Sequence, residues 1–154
     1  TVLLTAGASA PEDLVAEMAL GSSVHFIGPQ FSDDKTATYQ ASDALILPSL
    51  SEGLPVVVLE AWSHGLPAIM TTACNLEEGF AARAAIRIAP GNHGIASALR
   101  DLFEMPADDR RDMGRRGREL VSQRFTWPRI AVQMESVYAW LLSGRHQPSC
   151  VRLH

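Results

Sequence analysis

The tightest constraint on this chain is its alternation of short apolar runs with helix-length segments, with no Asn-Gly or Asp-Gly hairpin turn between them. Residues 2–5, 24–27, 44–47, 66–71 and 85–89 read as buried strands of four to six residues. Gly7, Gly28-Pro29 and Pro48-Ser49 close the first three. Pro11-Glu12-Asp13 opens the first intervening helix, with proline at the first helical position and acids in the first turn. Its stripe of Leu14, Val15, Met18 and Ala19 runs to a stop at Gly21. Asp33-Asp34 opens a second helix through about Ser42, and a third covers residues 55–64 and ends at Gly65. Strands joined by helices pair in parallel, so the expected class is α/β, a doubly wound parallel sheet with helices on both faces.

After Pro90-Gly91 the pattern turns helical, with helices expected over residues 93–103, 107–125 and 128–143. This predicts one domain over residues 1–143 with a helical C-terminal extension, then a flexible tail over residues 144–154. The 154 residues suit a single core. With 47% hydrophobic and 19% charged residues, disordered and fibrous classes are excluded. No apolar run approaches the ~18–20 residues of a membrane span. No signal peptide is visible, and the expected location is the cytoplasm. Cys74 and Cys150 stand 76 positions apart and are expected as free thiols, and no His, Cys or acid spacing predicts a metal site.

The charge is unevenly placed. Residues 1–99 hold three basic groups (Lys35, Arg83, Arg87) against ten acidic ones, and residues 100–129 hold eight against six. An acidic front argues against a nucleic-acid partner, whose phosphates need clustered Lys and Arg. The run Arg110-Arg111, Arg115-Arg116, Arg118 is interleaved with Asp108, Asp109, Asp112 and Glu119, so it reads as a solvated, ion-paired helix face. His64 reads as a partner for a helix C-terminus, and Asp43, which precedes its strand, as structural.

Ligands in such sheets bind at the carboxyl ends of the strands. There the third strand runs into Pro48-Ser49-Leu50-Ser51-Glu52-Gly53-Leu54-Pro55 and then directly into a helix. The amides of Gly53, Leu54, Val56, Val57 and Val58 are expected to point unpaired at that helix N-terminus, which suits phosphate or sugar oxygens. Glu60 lies eight positions after Glu52, inside the helix, and leans back toward the same place. A carboxylate accepts from two hydroxyls at once and so suits a vicinal diol such as a ribose. Taken alone, two glutamates around a helix start read first as a pair of solvated surface acids.

The stretch from Ala41 to Thr71 closely resembles the donor-site signature of the family 4 retaining glycosyltransferases. Asp43, Pro48-Ser49, the Glu52 and Glu60 pair, and the Gly65-Leu66-Pro67 turn all match, with Ser42 in place of the usual alanine. Val24-His25-Phe26-Ile27-Gly28, Asn75-Leu76-Glu77-Glu78-Gly79-Phe80 and the segment from Phe125 to Leu141 are similar to bacterial members. The resemblance implies a GT-B fold, of which this chain is the Rossmann-like C-terminal, donor-binding domain. It implies a partner nucleotide-diphosphate sugar, with Glu52 as the catalytic residue beside the sugar and Ser49, Gly53, Leu54, Pro55 and Val56 lining the donor site. Glu60 would bind the ribose, and no cofactor or metal is expected.

The same resemblance implies what is lacking. The family's diphosphate-neutralising Arg and Lys come from a strand and loop preceding the first strand here, and among Lys and Arg residues 1–60 contain only Lys35. The chain is therefore expected to lack that strand and loop, and to need the enzyme's N-terminal domain as partner. The full-length protein is expected to be a hexosyltransferase-type enzyme, with this piece inactive alone. The resemblance leaves room for peripheral membrane contact of the whole enzyme. Cys74-Asn75 replaces the family's usual Gly-Gly after the fourth strand. The last helix carries Ile130, Met134, Val137 and Leu141 on one stripe, which docks on this domain or, as in the family, crosses to the N-terminal one. Two alternative functions are a nucleotide-sugar epimerase of GT-B fold and a non-catalytic regulatory α/β module. A receiver-like module needs an aspartate where this third strand ends in Pro48-Ser49.

Overall fold

The computed structural model describes residues 3–5, 23–90, 92–144 and 146–151. The helix expected after Pro11 lies outside the described residues. The chain forms two compact units, Thr1–Ser42 and Asp43–His154.

In the first unit β1 (Leu3–Thr5) and β2 (Val24–Phe26) pair in parallel, with Leu3 opposite Val24 and Thr5 opposite Phe26. Gly28 follows β2 with φ 67°, a left-handed turn that glycine adopts without a steric penalty. Helix α1 (Ser32–Gln40) then starts with Asp33 and Asp34 in its first turn, where carboxylates complement the helix dipole.

The second unit carries β3 (Leu45–Leu47), α2 (Val56–Ser63), β4 (Ala68–Thr71), a 3-10 turn (Thr72–Cys74), α3 (Glu77–Ala81) and β5 (Ala85–Ile88). Three longer helices follow: α4 (Asn92–Glu104), α5 (Ala107–Arg124) and α6 (Trp127–Ser143). The sheet order is β3-β4-β5, all parallel, with Ile46 opposite Ile69 and Ile69 opposite Ile86. Every residue of the central strand β4 is buried. Side chains alternate across a strand, and the two faces of this sheet are covered accordingly. Ala68 and Met70 pack with Val58 and Trp62 of α2 and Leu120 of α5. Ile69 packs with Ile88 and with Ala98 and Leu102 of α4. The α/β architecture expected from the sequence is the one observed.

Trp62 organises the face that carries α2. Its ring is fully buried, and its indole N–H donates to the carbonyl of Ala84 at 3.1 Å. The ring lies against two glycines. A Cβ on Gly79 of α3 would approach it to 2.3 Å, and one on Gly117 of α5 to 2.5 Å. One turn earlier in α5, a Cβ on Gly114 would come within 1.7 Å of the Gly65 carbonyl oxygen. Gly114 thus lets α5 meet the end of α2 backbone to backbone, and Gly117 makes room for the Trp62 ring. At that crossing α2 ends as expected at Gly65, with φ 77°. The amide of Gly65 donates to the Trp62 carbonyl at 2.9 Å, and the amide of Leu66 to the Ala61 carbonyl at 3.0 Å. These are the two bonds of a Schellman stop.

The arginine run on α5 differs in part from the solvated face expected. Arg111 pairs with Asp108, and Arg115 with Asp112 at 3.2 Å and Glu119 at 2.7 Å, as the spacing predicts. Arg110, Arg116 and Arg118 instead donate to main-chain carbonyls. Arg110 reaches Leu102, Phe103 and Met105 at 3.2, 3.3 and 2.7 Å. Arg116 reaches Arg83 and Arg118 reaches Ser63, both at 3.0 Å. Helix C-termini leave carbonyls without intrahelical partners, and these guanidinium groups supply the donors. Helix α6 buries none of its residues: Met134 and Leu141 of the expected stripe are exposed, as are Trp127, Tyr138 and Leu142.

Alanine at a mid-helix glycine ordinarily adds about 1 kcal/mol of helix propensity. At Gly114 and Gly117 the clash reverses the sign, and Gly114→Ala and Gly117→Ala each lower the unfolding free energy by about 1–3 kcal/mol. Urea denaturation measures this, with Ser122→Ala on the exposed face of α5 staying within about 0.5 kcal/mol. Variants at both glycines as stable as the parent would contradict the close crossing.

Candidate functional site

The crossovers after β3 and β4 leave the carboxyl ends of neighbouring strands, the place where parallel sheets bind ligands. Three hydrogen bonds join them, and a fourth lies within the first. The Glu52 amide donates to the Ala73 carbonyl at 3.0 Å, and the Asn75 side-chain amide donates to the Glu52 carbonyl at 2.6 Å. The hydroxyl of Thr71, the last residue of β4, donates to the Ser49 carbonyl at 2.5 Å. The Ser49 hydroxyl in turn donates to Oε1 of Glu52 at 2.6 Å. The Glu52 carboxylate is therefore held at one oxygen by Ser49, while its backbone is held on both sides.

Cys74 lies under this junction, fully buried, with its Sγ 3.7 Å from the Leu47 carbonyl and 3.9 Å from the Thr71 hydroxyl. Burial pushes its thiol pKa up; the Thr71 hydrogen bonds act in the opposite direction, and the Glu52 charge adds to the rise.

Helix α2 opens differently from the sequence expectation. Pro55 is its N-cap, with extended ψ of 90°, and Val56 is the first helical residue. Proline fixes φ but leaves ψ free, so it serves at the cap as readily as inside the first turn. The Pro55 carbonyl accepts from the Val58 amide at 2.9 Å, so that amide is not available to a ligand as expected. Among the described residues, none accepts from the amides of Gly53, Leu54 or Val56. No side chain caps the helix.

Glu60 is half-buried and stands one turn along α2 from exposed Val56, on the face opposite buried Val58, Ala61 and Trp62. The structure thus binds Ser49 to Glu52 directly, runs residues 53–56 from Glu52 into the first turn, and sets Glu60 on the open side of the same helix. Leu50 and Leu54 are exposed along the loop.

No Lys or Arg occurs between residues 43 and 82, so these two crossovers contribute only acidic charge. The nearest cation in sequence beyond them with a described pair is Arg87, which grips Glu77 with two bonds of 3.1 and 2.8 Å and lies 4.0 Å over the Phe80 ring. That pairing lowers the Glu77 carboxyl pKa below its ordinary value. Among the described residues, no group of three His, Cys, Asp or Glu is placed to hold a metal ion, and no helix is long and apolar enough to cross a membrane.

Three residues of this junction were not singled out as site residues from the sequence: Thr71, Cys74 and Asn75. The available signal was Cys74-Asn75 standing where the resembled family has Gly-Gly. Asn75 has φ 53° and ψ 31°, the left-handed conformation that asparagine tolerates best among residues with a Cβ.

The family model for glycosyl transferases group 1 matches residues 1–105. The chain belongs to this family. Among its glycosyltransferase relatives is the D-inositol 3-phosphate glycosyltransferase of Salinispora tropica, 29% identical over 126 residues, covering 82% of this chain and 26% of that protein. The sucrose-phosphate synthase of Thermosynechococcus elongatus superposes with a TM-score of 0.81 at 29% identity, over 93% of this chain and 39% of the synthase. Anabaena HepE, solved in complex with UDP and glucose, superposes with a TM-score of 0.73 at 18% identity, over 94% of this chain and 41% of its own, and shares the fold. The fold is that of GT-B glycosyltransferase C-terminal domains. This chain spans about a quarter to two-fifths of the length of these three proteins.

The two thiols of this family member separate cleanly by burial: Cys74 is buried and Cys150 exposed. A chromogenic disulfide reagent at pH 8 titrates Cys150 rapidly, and Cys74 only at the rate of local opening or in denaturant. Two thiols reacting equally fast in the folded protein would contradict the packing under Glu52.

Proposed function

We propose that this chain is the donor-binding half of a retaining glycosyltransferase that moves a sugar from a nucleotide-diphosphate sugar to an acceptor. The observation that carries the reading is the juxtaposition at the start of α2. There the Glu52 carboxylate is tied to Ser49 at 2.6 Å, beside the unaccepted amides of Gly53, Leu54 and Val56, with Glu60 on the open face one turn on. Unaccepted amides at a helix N-terminus suit the sugar and diphosphate oxygens of a donor. Pro55 sets the chain's entry into that helix. Glu60 accepts from the two ribose hydroxyls, and Glu52 lies beside the transferred sugar. The UDP and glucose held by HepE support a ligand of this class.

In the transfer, the bond from the anomeric carbon to the diphosphate breaks as the acceptor oxygen attacks the same face. The acceptor's proton leaves with the diphosphate. Negative charge grows on that leaving group, and it needs fixed positive charge nearby. The two crossovers here hold none, which supports a cationic contribution from the strand and loop expected ahead of the first strand. The exposed apolar residues Trp127, Tyr138, Leu141 and Leu142 on α6 support the enzyme's N-terminal domain as partner. The reading includes transfer without a metal ion, and free thiols at Cys74 and Cys150 suit a cytoplasmic location.

Calorimetry of the full-length enzyme with UDP-, GDP- and ADP-sugars tests the site. One donor binds, and Glu60→Ala weakens it by about tenfold or more, the worth of hydrogen bonds to a charged group. Glu52→Gln keeps donor affinity but lowers kcat by about a hundredfold. Unchanged affinity in Glu60→Ala, or sugar transfer by these 154 residues alone, would contradict the proposal.

A further inference from the structure

The crossovers after β3 and β4 are separated by more than twenty residues of chain, yet the backbone of Glu52 in the first is clamped by two residues of the second. On one side its amide donates to the Ala73 carbonyl at 3.0 Å. On the other its carbonyl accepts from Asn75 Nδ2 at 2.6 Å. A carbonyl oxygen accepts only from a donor, so the orientation of the Asn75 amide is fixed by this contact. The chain at Asn75 is left-handed, with φ 53° and ψ 31°. Glycine meets that backbone requirement alone; asparagine meets it and adds a donor. The amide is what distinguishes Asn75 from the Gly-Gly pattern that Cys74-Asn75 replaces.

From this we infer that Asn75 is a positioning residue for Glu52: its side-chain amide fixes the Glu52 peptide, so that the Ser49 hydroxyl meets the carboxylate and aims it at the donor sugar. The inference rests on the role given to Glu52 above. Three groups converge on one short segment: Asn75 on the Glu52 carbonyl, Thr71 on the Ser49 carbonyl, and Ser49 on the Glu52 carboxylate. Thr71 is fully buried, so its hydroxyl anchors the segment to β4. Asn75 is exposed, and its bond to Glu52 therefore contributes little to global stability while restricting a reacting group. Misplacement of a reacting group by about 1 Å costs as much as a hundredfold in rate.

Two variants keep the left-handed backbone and remove the donor: Asn75→Gly, and the near-isosteric Asn75→Asp. Both are made in the full-length enzyme. Amide hydrogen exchange reports the clamp whatever the donor, and turnover is followed with UDP-glucose, GDP-mannose and ADP-glucose. In both variants the melting temperature stays within about 2 °C of the parent, while exchange across residues 49–54 accelerates about tenfold or more. With the donor that is turned over, kcat falls about tenfold or more and KM stays within about twofold, because the nucleotide contacts on α2 are untouched. Parental exchange in both variants overturns the inference. So does parental kcat, or a kcat loss matched by a collapse in melting temperature. Glu52→Gln at parental turnover overturns the role of Glu52 instead, and the exchange measurement still decides whether Asn75 holds the segment.

Discussion

The buried ring of Trp62, held between Gly79 and Gly117, fixes where helix α2 lies, and the candidate site follows from that helix. An indole of this size is accommodated only because both flanking positions lack a Cβ. Its N–H is satisfied by the Ala84 carbonyl at 3.1 Å, so the burial carries no unpaired donor. Gly114 extends the same contact to the Gly65 carbonyl, where α2 stops. The helix is thereby fixed along its buried side from Val58 to its C-terminus, and Val56 and Glu60 are left on the open side.

The loop that precedes α2 is held by other means. It has no large buried side chain between Ser49 and Leu54, and Leu50 and Leu54 face solvent. Its order comes from hydrogen bonds to the neighbouring crossover: Thr71 to Ser49, Glu52 to Ala73 and Asn75 to Glu52. Packing sets the helix, and polar contacts set the carboxylate. A site built this way keeps the Glu52 segment exact without filling the space a ligand needs.

Much of this was legible in the sequence because it follows from periodicity and punctuation. The apolar runs ending at Pro48-Ser49 and the stop at Gly65 place β3, α2 and β4, and the Glu52 and Glu60 spacing marks the helix start. The five-residue helix α3 and the 3-10 turn before it leave no such signal: neither reaches two turns, Gly79 interrupts α3, and both are too short to show a 3.6-residue period. Arg110, Arg116 and Arg118 were read as a solvated face because their acidic neighbours stand at pairing distance. The carbonyl partners of Arg110 lie across the turn between α4 and α5, while those of Arg116, near α3, and Arg118, on α2, are 33 and 55 positions away and leave no local trace. The Asn75 contact with Glu52 is of the same kind. Only the exchange of Gly-Gly for Cys74-Asn75 pointed to it, and the spacing of residues carries no information about a bond across 23 positions.

The central claim is that the start of α2, with Glu52 before it and Glu60 within it, receives a nucleotide-sugar. Backbone chemical-shift mapping of the 15N-labelled protein, titrated in turn with UDP, GDP and ADP, tests it most directly. The account predicts that one nucleotide produces saturable shifts concentrated at Gly53, Leu54, Val56 and Glu60. Saturable shifts confined to other surfaces, with these four amides unmoved by all three nucleotides, would contradict it.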